Sequence, residues 1–308
     1  MSHHTFAGFK LTVGGRSRVL EHVHTAGVSV DRAKFDYHLW KQASSLASVT
    51  ALSGAKVASI NRSMDESGKL LFSVKVGSEF FYSKQLIVAD GSNSAVAKML
   101  GISTVRYGPA RTGATTHFVG TFKVQPRYVN IFIERDFEVY VTPLSRSRLN
   151  IAVLTRFDSK VDIGGVLQDP HLQHRIFSSI GFKGDIESPP VGRSPIGNAR
   201  RSGVGAEVFL VGDAAEEFDP IGGMGMTHAL VCAELAASQI LSDRIRNTSA
   251  LTASIVEYER KRHAAARAFR VFTRVSYGAL RSAHFFPPML DIVTSKIGHA
   301  VSSMLAPH

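Results

Sequence analysis

Val208–Met226 reads VFLVGDAAEEFDPIGGMGM. Glu207 to Val211 has the apolar, non-alternating character of a buried strand, and it delivers Asp213 to the strand's carboxyl end. A glycine-rich loop through Pro220, Gly222, Gly223 and Gly225 then opens a helix. On that helix Met226, Ala229, Leu230, Ala233, Ala236, Ala237, Ile240 and Leu241 recur at helical spacing. Small residues dominate this face, which suits close approach to a sheet or a bound group. Ligands of α/β sheets bind outside the carboxyl ends of strands. Glycines let the backbone approach a flat ring or a phosphate, and a helix N-terminus favours negative charge. The plainer alternative is a strand–loop–helix connection that needs glycine only for its turns.

Leu86–Ser94 (LIVADGSNS) repeats the same logic: apolar strand Gln85 to Ala89, then Asp90-Gly91, then a short helix Ser94 to Leu100 that stops at Gly101. Its run without alternation predicts burial on both faces. Taken alone it is a weak signal, because Asp-Gly is also a common turn. Upstream, KLLFSVKVGSEFFYS predicts two strands around Gly77-Ser78. Asp31 is a good N-cap for a helix whose Phe35, Leu39, Ala43 and Leu46 share one face. FKLTVGGRSRVLEHVHTAGVSV predicts a hairpin. Thr112 to Arg156 holds four β-rich runs with short connections, which argues for an antiparallel sheet. From there to the Pro189-Pro190 pair the chain reads as looser.

Composition bounds the answer. The 308 residues are 44% hydrophobic and 20% charged, an ordinary globular balance. No apolar run approaches the ~18 residues of a membrane-spanning helix, and the N-terminus lacks a signal-peptide apolar region. The single cysteine, Cys232, excludes an internal disulfide and fits a reducing cytoplasm; inside the helix after the glycine loop it is expected to be structural. No CxxC or HExxH pattern calls for a metal. The net charge is +11, and Asp243–Ser282 holds nine Lys or Arg against three acids, so the excess is concentrated there. The rest is near balance, which argues against nucleic acid as the partner. In that segment Tyr258, Ala265, Phe269 and Phe272 form one stripe, while Arg260, Arg267, Arg274 and Arg281 recur on the other side.

In this order and about 120 residues apart, VADGSNS and GDAAEEFDPIGGMGM resemble the "DG" and "GD" motifs of the flavoprotein monooxygenases and the geranylgeranyl reductase group. VDRAKFDYHLWKQA is similar to the stretch where an Arg of those proteins enters the flavin site, and EVYVTPLSRSRLNIAVL resembles their substrate-domain sheet. The resemblance runs from about Gly27 to the C-terminus. It implies an α/β (mixed α+β) fold: an incomplete FAD/NAD(P)-binding Rossmann-like domain, an inserted antiparallel β-sheet substrate domain and a helical C-terminus. The implied division is 1–110 for the first part of the FAD-binding domain, 111–200 for the β-rich domain, 201–245 for the return segment and 246–308 for C-terminal helices. It implies FAD as cofactor and NAD(P)H as electron donor. Asp213, next to Gly212, would bind ribityl or ribose hydroxyls. Gly222, Gly223, Gly225 and Met226, in the loop that starts at Pro220, would lie under the flavin and its pyrophosphate. Asp90 and Gly91 would support the pyrophosphate, and Arg32 would face the phosphates unless it is an exposed helix-start charge. No protein acid or base stands out, so the catalytic residues are left unassigned.

Departures refine the expectation. Such proteins open with a strand and G-x-G-x-x-G, and nothing upstream of Arg32 makes that pattern; either the chain starts downstream of that unit, or the protein lacks the element that holds the ADP half. A partner chain covering the open sheet edge would answer the resulting exposure. Hydroxylases of the group carry His after GDAA and Asn after the Gly-Met pair, where this chain has Glu216 and Thr227. No WxWxIP-like halogenase signature is present. The expected activity is therefore FAD-dependent redox chemistry on a small apolar substrate (isoprenoid, lipid or aromatic), closer to reduction than to hydroxylation. Two other readings stand beside it: a remnant of the fold that does not retain FAD, and a cytoplasmic protein that contacts membranes through the Arg-rich helix. In the latter case Phe269 and Phe272 would face the bilayer.

Overall fold

The computed structural model describes residues 3–21, 26–66, 68–156, 158–246 and 251–285. They form two compact units that share the chain in alternation. The first lies within Met1–Ala51, Ala110–Ile196 and Arg274–His308, the second within Leu52–Pro109 and Gly197–Thr273.

The first unit is built on an eight-stranded sheet. Its order runs Phe182–Ile186, Arg111–Phe122, Arg148–Arg156, Phe137–Pro143, Tyr128–Ile133, Gly8–Val13 and Arg16–Glu21, with Val191–Ile196 also paired to Arg111–Phe122. Every pairing is antiparallel except that of Tyr128–Ile133 with Gly8–Val13. The expected hairpin turns at Gly14-Gly15, whose φ of +53° and +78° need residues without a Cβ. Strand residues alternate as a one-sided sheet demands: Val139 and Val141, then Leu149, Ile151 and Val153, point into one core with Phe118 and Phe132. Helices Ile163–Gln168 and Pro170–Ile180 close that core with Leu167, Leu172 and Ile176.

The stretch that reads as loose thus holds two helices and a strand, Phe182–Ile186; of its loop signals, Gly164-Gly165 lie inside the first helix and Asp169-Pro170 starts the second. Asp169 accepts from the His171 amide (2.9 Å), Pro170 starts the helix, and Gly181 ends it at φ +64°. A second departure concerns the division of the chain. Sequence reasoning grouped 1–110, whereas the first 51 residues cluster with 110–196 because Gly8–Val13 pairs with Tyr128–Ile133. Helix Arg32–Ser44 forms where expected, and Asp31 accepts from the Ala33 and Lys34 amides. Of its expected face Phe35 is half-buried, Leu39 and Ala43 are exposed, and no residue of the helix is fully buried.

The second unit holds an antiparallel sheet, Val57–Met64, Leu70–Val76 and Glu79–Ser83. It also holds a parallel pair, Ile87–Val88 with Phe209–Leu210, and a small sheet of Val105–Arg106, Ala199–Arg200 and Glu216–Glu217. Helix Gly225–Arg246 packs Cys232 and Ala236 on Phe209 and Val211, together with Ile255 and Tyr258 of the helix Leu251–Phe285. Val208, Phe209 and Leu210 have no exposed surface, as expected. Ile87 is 50% exposed, so the first strand of the pair is not buried on both faces; it has a partner on one side only among the described residues. The buried face of Gly225–Arg246 runs through His228, Cys232, Ala236 and Gln239, leaving Leu230, Ala233, Ala237 and Leu241 exposed. The expected apolar stripe is therefore only partly the packed one.

Candidate functional site

The parallel pair brings the two motif loops side by side. Phe209 N donates to Leu86 O (3.0 Å) and Val211 N to Val88 O (2.9 Å), so both strands end at the same edge. Asp90 and Gly91 leave one strand, Gly212 and Asp213 the other. Asp90 is exposed, and its carboxylate accepts from the Val96 amide (3.0 Å). It thereby caps the short helix Ala95–Met99, as does Ser94 through the Ala97 amide (2.9 Å). Asp213 lies half-buried in the single turn Gly212–Ala214.

The glycines divide into two kinds. A Cβ at Gly212 would sit 3.1 Å from Ala229, and one at Gly222 3.2 Å from the Phe272 ring. These two permit packing within the unit. A Cβ at Gly91, Gly223 or Gly225 would meet nothing within 4 Å. Their backbones border open space, and at Gly91 and Gly223 a φ of +81° and +61° also requires glycine. That open, side-chain-free border is what a flat ring system or a pyrophosphate needs. Pro220 is half-buried at the start of the turn Pro220–Gly222, which Asp219 caps through the Ile221 amide (3.1 Å). Met226 is half-buried in the first turn of Gly225–Arg246, a turn that carries no acid to repel an anion. The open glycines and the half-buried Asp213 fit the flavin half of a dinucleotide, its flat ring and sugar hydroxyls, and none of these residues supplies the G-x-G-x-x-G element for the ADP half.

Arg32 stands apart. It belongs to the first unit, and its guanidinium makes a two-pronged bond to Asp36 (3.1 and 3.0 Å) at the exposed start of its helix.

Behind the loops lies a charge cluster that motif reasoning did not assign. Glu216, which follows GDAA, is fully buried. It accepts from Arg262 (3.3 Å) and from Arg270 (2.7 and 2.8 Å), and Arg262 also binds Glu259 (2.6 Å). Burial alone would lower the pKa of Arg262; Glu259, Tyr258 and Glu216 overcome that and raise it. Burial and then the Glu216 charge push the Tyr107 phenol far up. His228 is buried against Phe218 and Phe269 with its Nε2 3.2 Å from Cys232 Sγ, and desolvation pulls its pKa down to about 4. Cys232 is a buried free thiol whose pKa burial raises, a structural cysteine as expected. Arg201, also unassigned by sequence, donates to the backbone of both motif loops. Nothing local marks Arg201, Arg262 or Arg270; Glu216 alone is visible, as a departure from the hydroxylase pattern.

The first unit has a cavity of about 480 Å³ walled by Arg111, Phe137, Glu138, Arg156 and Tyr277 among others. Arg111 is buried in its wall, bound to Glu138 (2.8 Å) and Thr155 O (3.2 Å) and lying over the Tyr277 ring (5.6 Å). Its lining is charged and largely self-paired.

Known proteins resemble this chain in sequence and in fold. Digeranylgeranylglycerophospholipid reductase of Methanococcus aeolicus is 22% identical over 265 residues, which cover 82% of this chain and 64% of that protein. This chain thus spans under two thirds of that relative's length. PqsL of Pseudomonas aeruginosa, described as a probable FAD-dependent monooxygenase, superposes with a TM-score of 0.69 at 17% identity, covering 94% of this chain and 82% of that one. The flavin-dependent brominase Bmp2 gives 0.73 at 16% identity, over 98% and 77% of the two chains. At these identities the structures establish the fold alone. The sequence profile of one family, described as the FAD binding domain, matches residues 8–273. The chain belongs to the FAD binding domain family.

Proposed function

We propose that this protein is a FAD-dependent oxidoreductase that reduces a small apolar substrate, with NAD(P)H as electron donor. The observation that carries the redox reading is the pair of motif loops at the ends of two parallel strands, bordered by open backbone at Gly91, Gly223 and Gly225. FAD, when bound, supplies a two-electron redox centre. The chain's own residues place it. Asp213 would accept from sugar hydroxyls, the open glycines would admit the ring, and the start of Gly225–Arg246 would favour the phosphates.

Reduction, as opposed to oxygenation, is supported by the curated relative, which is named a reductase, and by Glu216. Where hydroxylases of the group carry His, Glu216 is locked in an ion cluster with no exposed surface, so it offers substrate no proton donor. The test is product analysis under isotope-labelled dioxygen with NAD(P)H and unsaturated isoprenoid substrates. A gain of two hydrogens at a double bond, with no label, is expected. Labelled oxygen in the product would overturn reduction in favour of oxygenation.

A second reading, a fold that does not retain FAD, draws on the thinness of the platform: each strand of the parallel pair is two residues long, and Ile87 is half-exposed. Visible absorbance of the purified chain separates the two. Flavin bands, released on denaturation as FAD, support the enzyme; a soluble, colourless chain that takes up no added FAD would refute it.

A further inference from the structure

Arg201 follows the strand Ala199–Arg200 and is 9% exposed. Its guanidinium reaches three loops at once. Nη2 donates to Ser92 O (2.6 Å), in the loop that carries Asp90 and Gly91. Nη1 donates to Ala214 O (3.2 Å) and Asp213 O (3.4 Å), in the loop that carries Gly212. Nε donates to Thr104 Oγ1 (2.8 Å), beyond the short helix that Asp90 caps. Only the planar, forked donor set of arginine has this reach; a lysine ammonium is one point with one position.

The root of the side chain is fixed as well. Arg201 N donates to Ala215 O (2.8 Å), and its carbonyl accepts from Arg262 Nη2 (3.2 Å). Arg262 is fully buried and held by Glu216 and Glu259. The two parallel strands behind the loops contribute only two residues each, so backbone pairing fixes the loops weakly. A charge-assisted bond to each loop is the stronger tie.

We propose that Arg201 is a positioning residue of the cofactor site: it couples the loop 90–94 to the loop 212–215 and sets the spacing on which FAD rests. The proposal rests on the FAD reading above for its consequence, and on the geometry for the coupling itself.

The test uses Arg201→Gln, Arg201→Lys and Arg201→Ala in the whole chain. Amide exchange without FAD reads the coupling; FAD titration followed by fluorescence reads the consequence. In R201Q, exchange is expected to rise in 90–94 and 212–215 together while Val57–Val76 keeps its protection. FAD affinity is expected to fall about tenfold, the weight of a charge-assisted buried bond. R201K should not restore it, and methylguanidinium added to R201A should recover part of it. An even rise in exchange across the second unit would mean a merely structural arginine and overturn the proposal. So would R201Q that holds FAD within about twofold of the parent.

If the Arg201 variants do not fold, Thr104→Val removes one acceptor of the same fork. A smaller rise in the same two loops is then expected, and unchanged exchange in both would sink the idea. A parent chain that takes up no FAD would defeat the FAD reading, while the exchange pattern still decides the coupling.

Discussion

Glu216 and Arg262 have no exposed side-chain surface, so neither charge is solvated if its partner is lost. Removing one member of a buried pair leaves the other uncompensated, at a cost of about 3–5 kcal/mol. Glu216→Gln removes the carboxylate that binds Arg270 and one of the two that bind Arg262, which keeps Glu259, and should lose an amount near the lower end of that range in urea denaturation. Arg270→Gln should lose less, because the Arg270 side chain is 24% exposed. Equal losses would show that the cluster does not work through Glu216. His228 adds a pH dependence of known sign. Desolvation first, then Arg262 and Arg270, hold its folded pKa near 4, with Glu216 opposing, against 6.5 for a free histidine. The unfolded chain therefore binds the proton first, and stability falls as pH drops from 6.5 towards 4, then levels. Between pH 7 and 5 this one group should remove about 2 kcal/mol. His228→Gln should flatten the denaturation midpoint over that interval relative to the parent; the same slope in both would exclude His228 as its source.

Elements differ in how much of them was legible. The hairpin at Gly14-Gly15, the helix after Asp31 and the antiparallel strands from Arg111 to Arg156 follow from local patterns, and each formed. Pro170–Ile180 was hidden because Asp169-Pro170 looks like a turn by itself, and only its spacing from Gly181 marks the two ends of one helix. Strand Val57–Met64 was missed because its apolar residues, Val57, Ala58, Ile60 and Met64, do not alternate and none of its residues is fully buried. Strands Arg111–Phe122 and Phe182–Ile186 meet through Gly120 and Gly184, directly opposite each other. A Cβ on Gly184 would lie 2.3 Å from Val119 O, and one on Gly120 2.1 Å from Lys183 O. Gly184→Ala should therefore push the strands apart, costing on the order of 1–3 kcal/mol in thermal melting. A melting point like the parent's would mean that this edge of the sheet yields freely. Helix Arg32–Ser44 is the opposite case. Trp40 is 45% exposed and no residue of the helix is buried, so Trp40→Lys should change stability by less than about 0.5 kcal/mol. It should also reduce self-association in light scattering, since it removes exposed apolar surface. A marked loss of stability would show that the face is covered in solution.

At the scale of the molecule, the family was legible and the supporting machinery was not, for one physical reason. A strand that ends in Asp-Gly or Gly-Asp writes its chemistry in adjacent residues. Arg201 meets Ser92 and Thr104 at separations of 109 and 97 residues, and Arg262 meets Glu216 at 46. No local pattern announces such partners. The same distance explains the basic tail. Its charge was visible, but Arg262 and Arg270 turn inward to Glu216, and Phe269 and Phe272 are only 8% and 7% exposed. The aromatic stripe that a bilayer would need is therefore spent on the unit's own core, and anionic vesicles should not retain the protein through it. What the whole molecule should respond to is its cofactor. A ligand that binds only the folded state stabilises it by RT ln(1 + [L]/Kd), about 2.7 kcal/mol at a hundredfold excess over Kd. FAD at that level should raise the urea midpoint of the parent chain by the matching amount, with the slope of the transition unchanged. The gain should be smaller at the same FAD concentration in Arg201→Gln if the two loops that Arg201 joins hold the cofactor, as proposed. An unchanged midpoint in the parent would mean that the folded chain and FAD do not recognise each other. An equal gain in both proteins would mean that FAD is held, but without the spacing of those two loops contributing to its affinity.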